Sequence, residues 1–259
     1  MATVSVQNSP KLQKNSAVDQ YFFTVIATSM IVVSLAGFVP SIANPAGRRA
    51  PLTLLAAAHG IVFLAWLLLF LVQSRLVATR RIVTHRRLGI AGIFLLLLMI
   101  PLGYWSTISM VRRAFDLSGD LKIDPHSHGE YIDPQFGAVF PLTDLPIFAL
   151  LAGTAIAYRR KPEIHKRLML FANIALMGAP LAHFIGHTPM LANLRQPAII
   201  MIPISTFLLA AVARDYVLLR RVRPLTWGLA VAMLASGPLR ANLIGPSATW
   251  HHFVIWLAR

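Results

Sequence analysis

The sequence predicts an all-α integral membrane protein: a bundle of about seven transmembrane helices with a C-terminal interfacial helix. Three observations carry that prediction. Hydrophobic residues make up 56% of the 259 residues, charged residues only 13%, and mean hydropathy is +0.65, a composition that cannot cover a water-exposed surface. The apolar residues fall into runs of about 20, the length a helix needs to cross a ~30 Å hydrocarbon core. The basic residues behind the +15 net charge sit in short clusters between those runs. Charge placed that way orients helices in a lipid bilayer and does not make a nucleic-acid-binding face.

Taken in order, residues 1–20 form a polar tail. The first apolar run is Tyr21–Val39. Ser41-Ile42-Ala43 has the small-residue pattern of a signal-peptide cleavage site, but the polar lead is long for an n-region, so the run is expected to be a retained helix. The second and third runs, Leu52–Leu76 and Leu88–Met110, are followed by a long acidic linker. Leu142–Tyr158, Leu168–His187 and Ala198–Leu219 supply the fourth to sixth. The seventh, Leu225–Gly245, is interrupted by Gly237-Pro238 and contains Arg240, the pattern of a broken or re-entrant helix that ends the 21–245 bundle. Residues 246–259 are too short to cross, and Trp250, Phe253 and Trp256 mark them as an interfacial helix or a cap.

Orientation follows from the linkers. Those after the second, fourth and sixth runs hold the clusters Arg75, Arg80-Arg81 and Arg86-Arg87, then Arg159-Arg160-Lys161 with Lys166-Arg167, then Arg214, Arg220-Arg221 and Arg223, which the positive-inside rule places in the cytoplasm. The linker between the third and fourth runs carries Asp116, Asp120, Asp124, Glu130 and Asp133 and belongs outside, and the amino terminus is expected outside as well. An echo links two hairpins: Arg80-Arg81 precedes His85-Arg86-Arg87-Leu88 as Arg159-Arg160 precedes His165-Lys166-Arg167-Leu168.

The chain has no cysteine, which excludes disulfides, thiolate metal sites, iron–sulfur clusters and a cysteine nucleophile. Chemistry then rests on histidine and carboxylate. Ionisable groups inside a bilayer are costly enough to need a reason. His59 on the second helix and His183 on the fifth are expected at similar depth near the outer surface, and His85 and His165 together at the cytoplasmic boundary. His165 and His183 are 18 residues apart, about five turns, and so share a face unless Pro180 rotates the upper one away. Two levels of paired imidazoles suit two b-type haems and electron transfer across the membrane to a redox partner, with helices two to five as the functional core. The plainer alternatives are headgroup contacts for His85 and His165, and a buried interhelical hydrogen bond for His59 among Ala56, Ala57, Ala58 and Gly60.

A second reading uses some of the same atoms. His183 and His187 are spaced i, i+4, and with His59 they would make a three-histidine zinc site holding a water for hydrolysis. Asp144 and the Asp124-Pro125-His126-Ser127-His128 stretch stand nearby on the outer side, while His126, His128, His251 and His252 read as solvated. Arg240 has three uses open to it: snorkelling to the surface, pairing with Asp144, or holding a haem propionate. The third class is a scaffold or lipid-interacting protein with no chemistry.

The segment from His59 to Gly89, HGIVFLAWLLLFLVQSRLVATRRIVTHRRLG, resembles a motif recurring in uncharacterised bacterial multi-span membrane proteins. So do RRKPEIHKRLMLFA, from Arg159 to Ala172, and GPLRANLIGPSATWHHFVIWL, from Gly237 to Leu257. That resemblance spans about two-thirds of the chain and implies a bacterial cytoplasmic membrane without implying an activity. The short His85-Arg86-Arg87-Leu88-Gly89 segment is similar to the His-x-x-Leu-Gly helix opening of transmembrane dihaem cytochromes b. That likeness implies haem ligation and transmembrane electron transfer. The chain departs from their pattern, which draws ligands from four successive helices, because its histidines lie on helices two, three and five and none on four.

Overall fold

A computed structural model describes residues 10–47, 50–113, 133–188, 190 and 197–259. Among them the chain is helical, with no strand. Helix α1 (Pro10–Ala43) begins inside the polar tail and continues through the first apolar run. It is followed by α2 (Leu54–Ala78), α3 (Ile82–Arg113), a short α4 (Pro134–Gly137) and α5 (Val139–Ala157). Then come α6 (Pro162–Ala175), α7 (Gly178–His187), α8 (Pro197–Leu219), α9 (Pro224–Leu239) and α10 (Ala248–Leu257).

Among the described residues six helical stretches are long and apolar enough to cross a membrane: Tyr21–Ala43, Leu54–Ala78, Ile82–Arg113, Pro134–Ala157, Pro162–His187 and Ile199–Leu219. The chain is therefore a multi-pass membrane protein with an all-α bundle, and the count of such helices is six where the sequence leads to seven. The seventh segment is the difference. Its α-helix is 16 residues long, and at Arg240 it passes into a π-helix, Arg240–Ile244, before the Gly245-Pro246 turn. Pro238 lacks the N–H that the regular ladder requires, so the interruption read from the sequence is present.

The turns carrying Arg80, Arg159 and Arg220 lie at one end of the bundle, called here the basic end. Arg80 and Arg220 close α2 and α8 in the left-handed conformation, with φ of 60° and 55°. At the α2–α3 turn the Arg81 N–H reaches the Leu76 carbonyl at 2.8 Å, a Schellman-type closure with arginine where glycine is usual. The most extensive helix contacts are the two antiparallel hairpins turning at this end, α2 with α3 and α5 with α6. These are the hairpins linked by the sequence echo.

The fifth span, α6 continued by α7, is the central one: 61% of its apolar window is buried, against 22–28% for the other five. It is not a continuous helix. Pro180 has no N–H to offer the preceding turn, and the backbone tightens at Leu176 and Met177, whose N–H groups bond to the Asn173 and Ile174 carbonyls. Helix α1 packs on α2 and on α7, and it can approach α7 closely because Gly37 has no side chain. A Cβ there would stand 2.5 Å from the Pro180 carbonyl oxygen and 3.3 Å from the His183 Cβ. The expected core of helices two to five thus gains α1 as a full member.

The Asp19 carboxylate, at the start of the first span, is ion-paired with Lys166 at 3.0 Å and with Arg214, so it lies at the basic end. Two crossings, α1 and α2, return the chain to its starting side. Asp19, just before the first apolar run, and the basic linkers thus share one end of the bundle.

Candidate functional site

At the basic end, His85 in the first turn of α3 and His165 in the first turn of α6 face each other. Their ring centres are 6.4 Å apart and the ring planes are 84° from parallel. Each is half-buried. The pairing by depth read from the sequence is present, and the echo between the hairpins accounts for it: equivalent positions on two packed hairpins meet across their contact. His165 is oriented by its own hairpin, its Nδ1–H donating to the Ala155 carbonyl of α5 at 2.7 Å. That bond sets the tautomer and leaves Nε2 with a lone pair, the arrangement in which a ligating histidine is usually held. The backbone of Gln73 on α2 lies beside His85, whose buried Nδ1 has no hydrogen-bond partner among the described residues. One turn deeper, the Gly89 Cα faces space in which the nearest group is Gln73 Nε2, 3.8 Å from where a Cβ would stand.

At the opposite, far end the histidines do not form the expected pair. His59 lies on α2 against α3, stacked on Phe63 with ring centres 4.0 Å apart and with the Leu102 backbone beside it. His183 is buried on α7 against α1, its ring centre 4.5 Å from that of Phe38. His187 stacks on His183 at 5.9 Å, donates from Nδ1 to the His183 carbonyl at 2.9 Å, and takes the Ser41 hydroxyl of α1 on Nε2 at 3.3 Å. The two imidazoles on which an outer haem depends therefore face different seams, because α1 packs on both α2 and α7. The same packing separates His59 from the His183–His187 pair, so the three-histidine zinc site is not assembled. Among the described residues no group of three or more His, Asp or Glu side chains is placed to hold a metal ion. His126 and His128 lie outside the described residues.

Arg240 does not snorkel. It ion-pairs with Asp144 of α5, bonds to the Thr143 hydroxyl at 3.1 Å and the Ser236 carbonyl at 3.1 Å, and lies over the Phe140 ring. Pairing with Asp144, one of its three expected uses, is the one found. The carboxylate also approaches the break in the central span, with Asp144 Oδ2 only 3.4 Å from where a Gly178 Cβ would stand. Beyond this pair α10 caps the far end over α4. The Trp250 indole N–H donates to the Gln135 carbonyl at 2.8 Å and the Arg112 Nε–H to the Ala258 carbonyl at 2.7 Å. His251, expected in solvent, is half-buried and bonds to the Gly245 carbonyl at 2.8 Å.

The sequence reading missed a buried charge network at the basic end. Asp215 on α8 is 0% exposed, and Arg167 and Arg214 are 4% and 6% exposed. The Asp215 carboxylate accepts from Arg167 Nη2 at 2.6 Å, Arg214 Nη1 at 3.0 Å and the Thr226 hydroxyl at 2.6 Å. Arg167 also bonds to Glu163 at 2.7 Å, and Arg214 and Lys166 both pair with Asp19. Four helices, α1, α6, α8 and α9, are tied together in this way. A signal was available. Of the nine acidic residues in the chain, six precede or enter the fourth span from the acidic linker, and the remaining three, Asp19, Glu163 and Asp215, all belong to this network.

No protein-family model matches the chain, and neither a curated protein nor a solved structure is similar to it.

Proposed function

We propose that the protein binds one b-type haem between His85 and His165 at the basic end and passes electrons there to or from a redox partner. The supporting observation is the spacing of these two rings. Two imidazoles bound on opposite sides of one metal ion, each through a nitrogen ~2 Å away, hold their ring centres about 6 Å apart. The 6.4 Å separation agrees with that requirement, perpendicular ring planes satisfy it as well as parallel ones, and the Ala155 carbonyl holds His165 in the tautomer a ligand needs. The arginines and lysines of the same end supply cations for its propionates. Haem contributes one-electron chemistry when bound; the protein's part is to fix two neutral imidazoles at that separation. In this reading the basic end faces the cytoplasm of a bacterial cell, and the amino terminus, on the same side, faces it too.

The test is optical. Detergent-purified protein from haem-supplied cells is expected to show a Soret band that shifts on dithionite reduction. His85→Ala and His165→Ala abolish it, whereas His59→Ala and His183→Ala leave it in place. A colourless wild-type preparation, or a band that survives loss of both His85 and His165, overturns the reading.

A further inference from the structure

The two histidines at the basic end hold equivalent positions on two hairpins, yet only one of them is anchored. His165 donates from Nδ1 to the carbonyl of Ala155, ten residues before it, at 2.7 Å. That carbonyl is open because α5 closes in a tight turn, in which the Arg159 N–H bonds to the Ile156 carbonyl at 3.2 Å and passes Ala155 by. Ten residues before His85 stands Arg75. Its carbonyl already accepts the Thr79 N–H at 2.9 Å and the Thr79 hydroxyl at 2.9 Å. A carbonyl oxygen has two lone pairs, so both are committed. The Leu76 and Val77 carbonyls take the Arg81 and Arg80 N–H groups. The Gln73 backbone, beside the His85 ring, belongs to the helical ladder of α2, where each carbonyl serves the N–H one turn on. The end of α2 therefore leaves His85 no open acceptor, and its buried Nδ1 has no hydrogen-bond partner among the described residues. The asymmetry is one of turn chemistry: α2 ends on Thr79 in a Schellman-type closure, and α5 ends on Tyr158 without one.

We propose that His165 is the permanent ligand of the pair and His85 the exchangeable one, so that a neutral diatomic gas of the carbon monoxide, nitric oxide and dioxygen class binds in place of His85. The proposal rests on the haem reading and adds a second ligand to it. A ligating imidazole is strengthened by the hydrogen bond that its other nitrogen donates, and loss of that bond weakens metal binding roughly 10–100-fold. His165 has the bond and His85 lacks it. His85 also stands half-buried in the first turn of α3, so its ring has solvent on one side to move into. The room it vacates is that of one imidazole, which limits the incoming molecule to a few atoms. In the exchange the bond between iron and the His85 nitrogen breaks and a bond between iron and one atom of the gas forms. His85 leaves as the neutral imidazole, and no electron or proton is transferred.

The test has one arm without haem and one with it. In haem-free protein carrying ¹⁵N-labelled histidine, the two rings are assigned by the signals lost in His85→Ala and His165→Ala. His165 is expected as a single Nδ1–H tautomer, and His85 with the Nε2–H form present. A single Nδ1–H tautomer at both rings, or the reverse assignment, overturns the proposal. In haem-loaded protein reduced with dithionite, carbon monoxide is expected to shift the Soret band a second time, and nitrogen to leave it unchanged. Flash photolysis of the carbon monoxide complex then leaves the iron on its permanent histidine. The iron–histidine stretching band is expected at the raised frequency of an imidazole whose Nδ1–H is hydrogen-bonded, since that ring is His165. The lower frequency of an unbonded ring means that His165 was the one displaced and overturns the proposal. A Soret band that is present but indifferent to carbon monoxide removes this proposal alone, whereas a colourless wild-type preparation removes the haem reading and this proposal with it.

Discussion

The two ends of the bundle handle buried charge in opposite ways. At the basic end a dense network on four helices surrounds Asp215 with donors. At the far end a single carboxylate, Asp144, meets a single arginine, and both sit at irregularities: the break between α6 and α7 and the π-helix that begins at Arg240. The exposures follow the same division, with side chains 5% and 1% exposed for Arg167 and Asp215 against 11% and 19% for Arg240 and Asp144. The basic end is locked by its network. The far end keeps departures from regular helix, which concentrate where backbone must adapt to a site.

Breaking each end in turn measures that contrast. The largest effect is expected from Asp215→Ala, which leaves Arg167 and Arg214 buried without their shared counter-ion. Loss of one partner from such a buried network costs about 3–5 kcal/mol, read as a fall in the midpoint of thermal unfolding in detergent. Asp144→Asn at the far end should cost less, about 1.5–3 kcal/mol, since Arg240 keeps Thr143, Ser236 and the Phe140 ring. A larger loss from Asp144→Asn than from Asp215→Ala would reverse the comparison. Gly37→Ala presses a methyl group into the Pro180 carbonyl and should cost about 1–3 kcal/mol by overpacking, while leaving any optical signal of the His85–His165 pair unchanged. The smallest effect belongs between the ends, where the Trp66 indole donates to Asn173 at 3.1 Å. Trp66→Phe removes that bond at about 0.6 kcal/mol, the average for polar contacts between membrane helices.

Much of the site at the basic end was legible from sequence because its two determinants are local. His85 and His165 each follow a basic turn by a few residues, so their depth is set by helix rise alone, and the repeated turn places them at corresponding positions of two hairpins. The far end was not legible in the same way. Helix rise puts His59 and His183 at comparable expected depth, but whether two side chains meet also depends on helix rotation and on which helix packs between. Gly37 decides this, admitting α1 against α7 so that His183 packs on Phe38. Arg240 and Asp144 were readable as candidates for one another, being rare opposite charges in apolar runs. Their pairing excluded snorkelling only once α5 and the end of α9 were brought together.

Hydropathy, the spacing of basic turns and the placing of proline sufficed to establish a multi-pass helical bundle, its approximate spans and the interruption of the last one. These are properties of each segment facing lipid or water by itself, and a bilayer imposes them on any chain with that pattern. Which span occupies the centre was decided only by tertiary packing. The fifth holds that position, and this turns Arg167 from a headgroup-level cation into the buried partner of Asp215. The physical reason is that lipid and protein interiors are similarly apolar, so a run of hydrophobic residues records that it is out of water without recording which of its faces meets another helix.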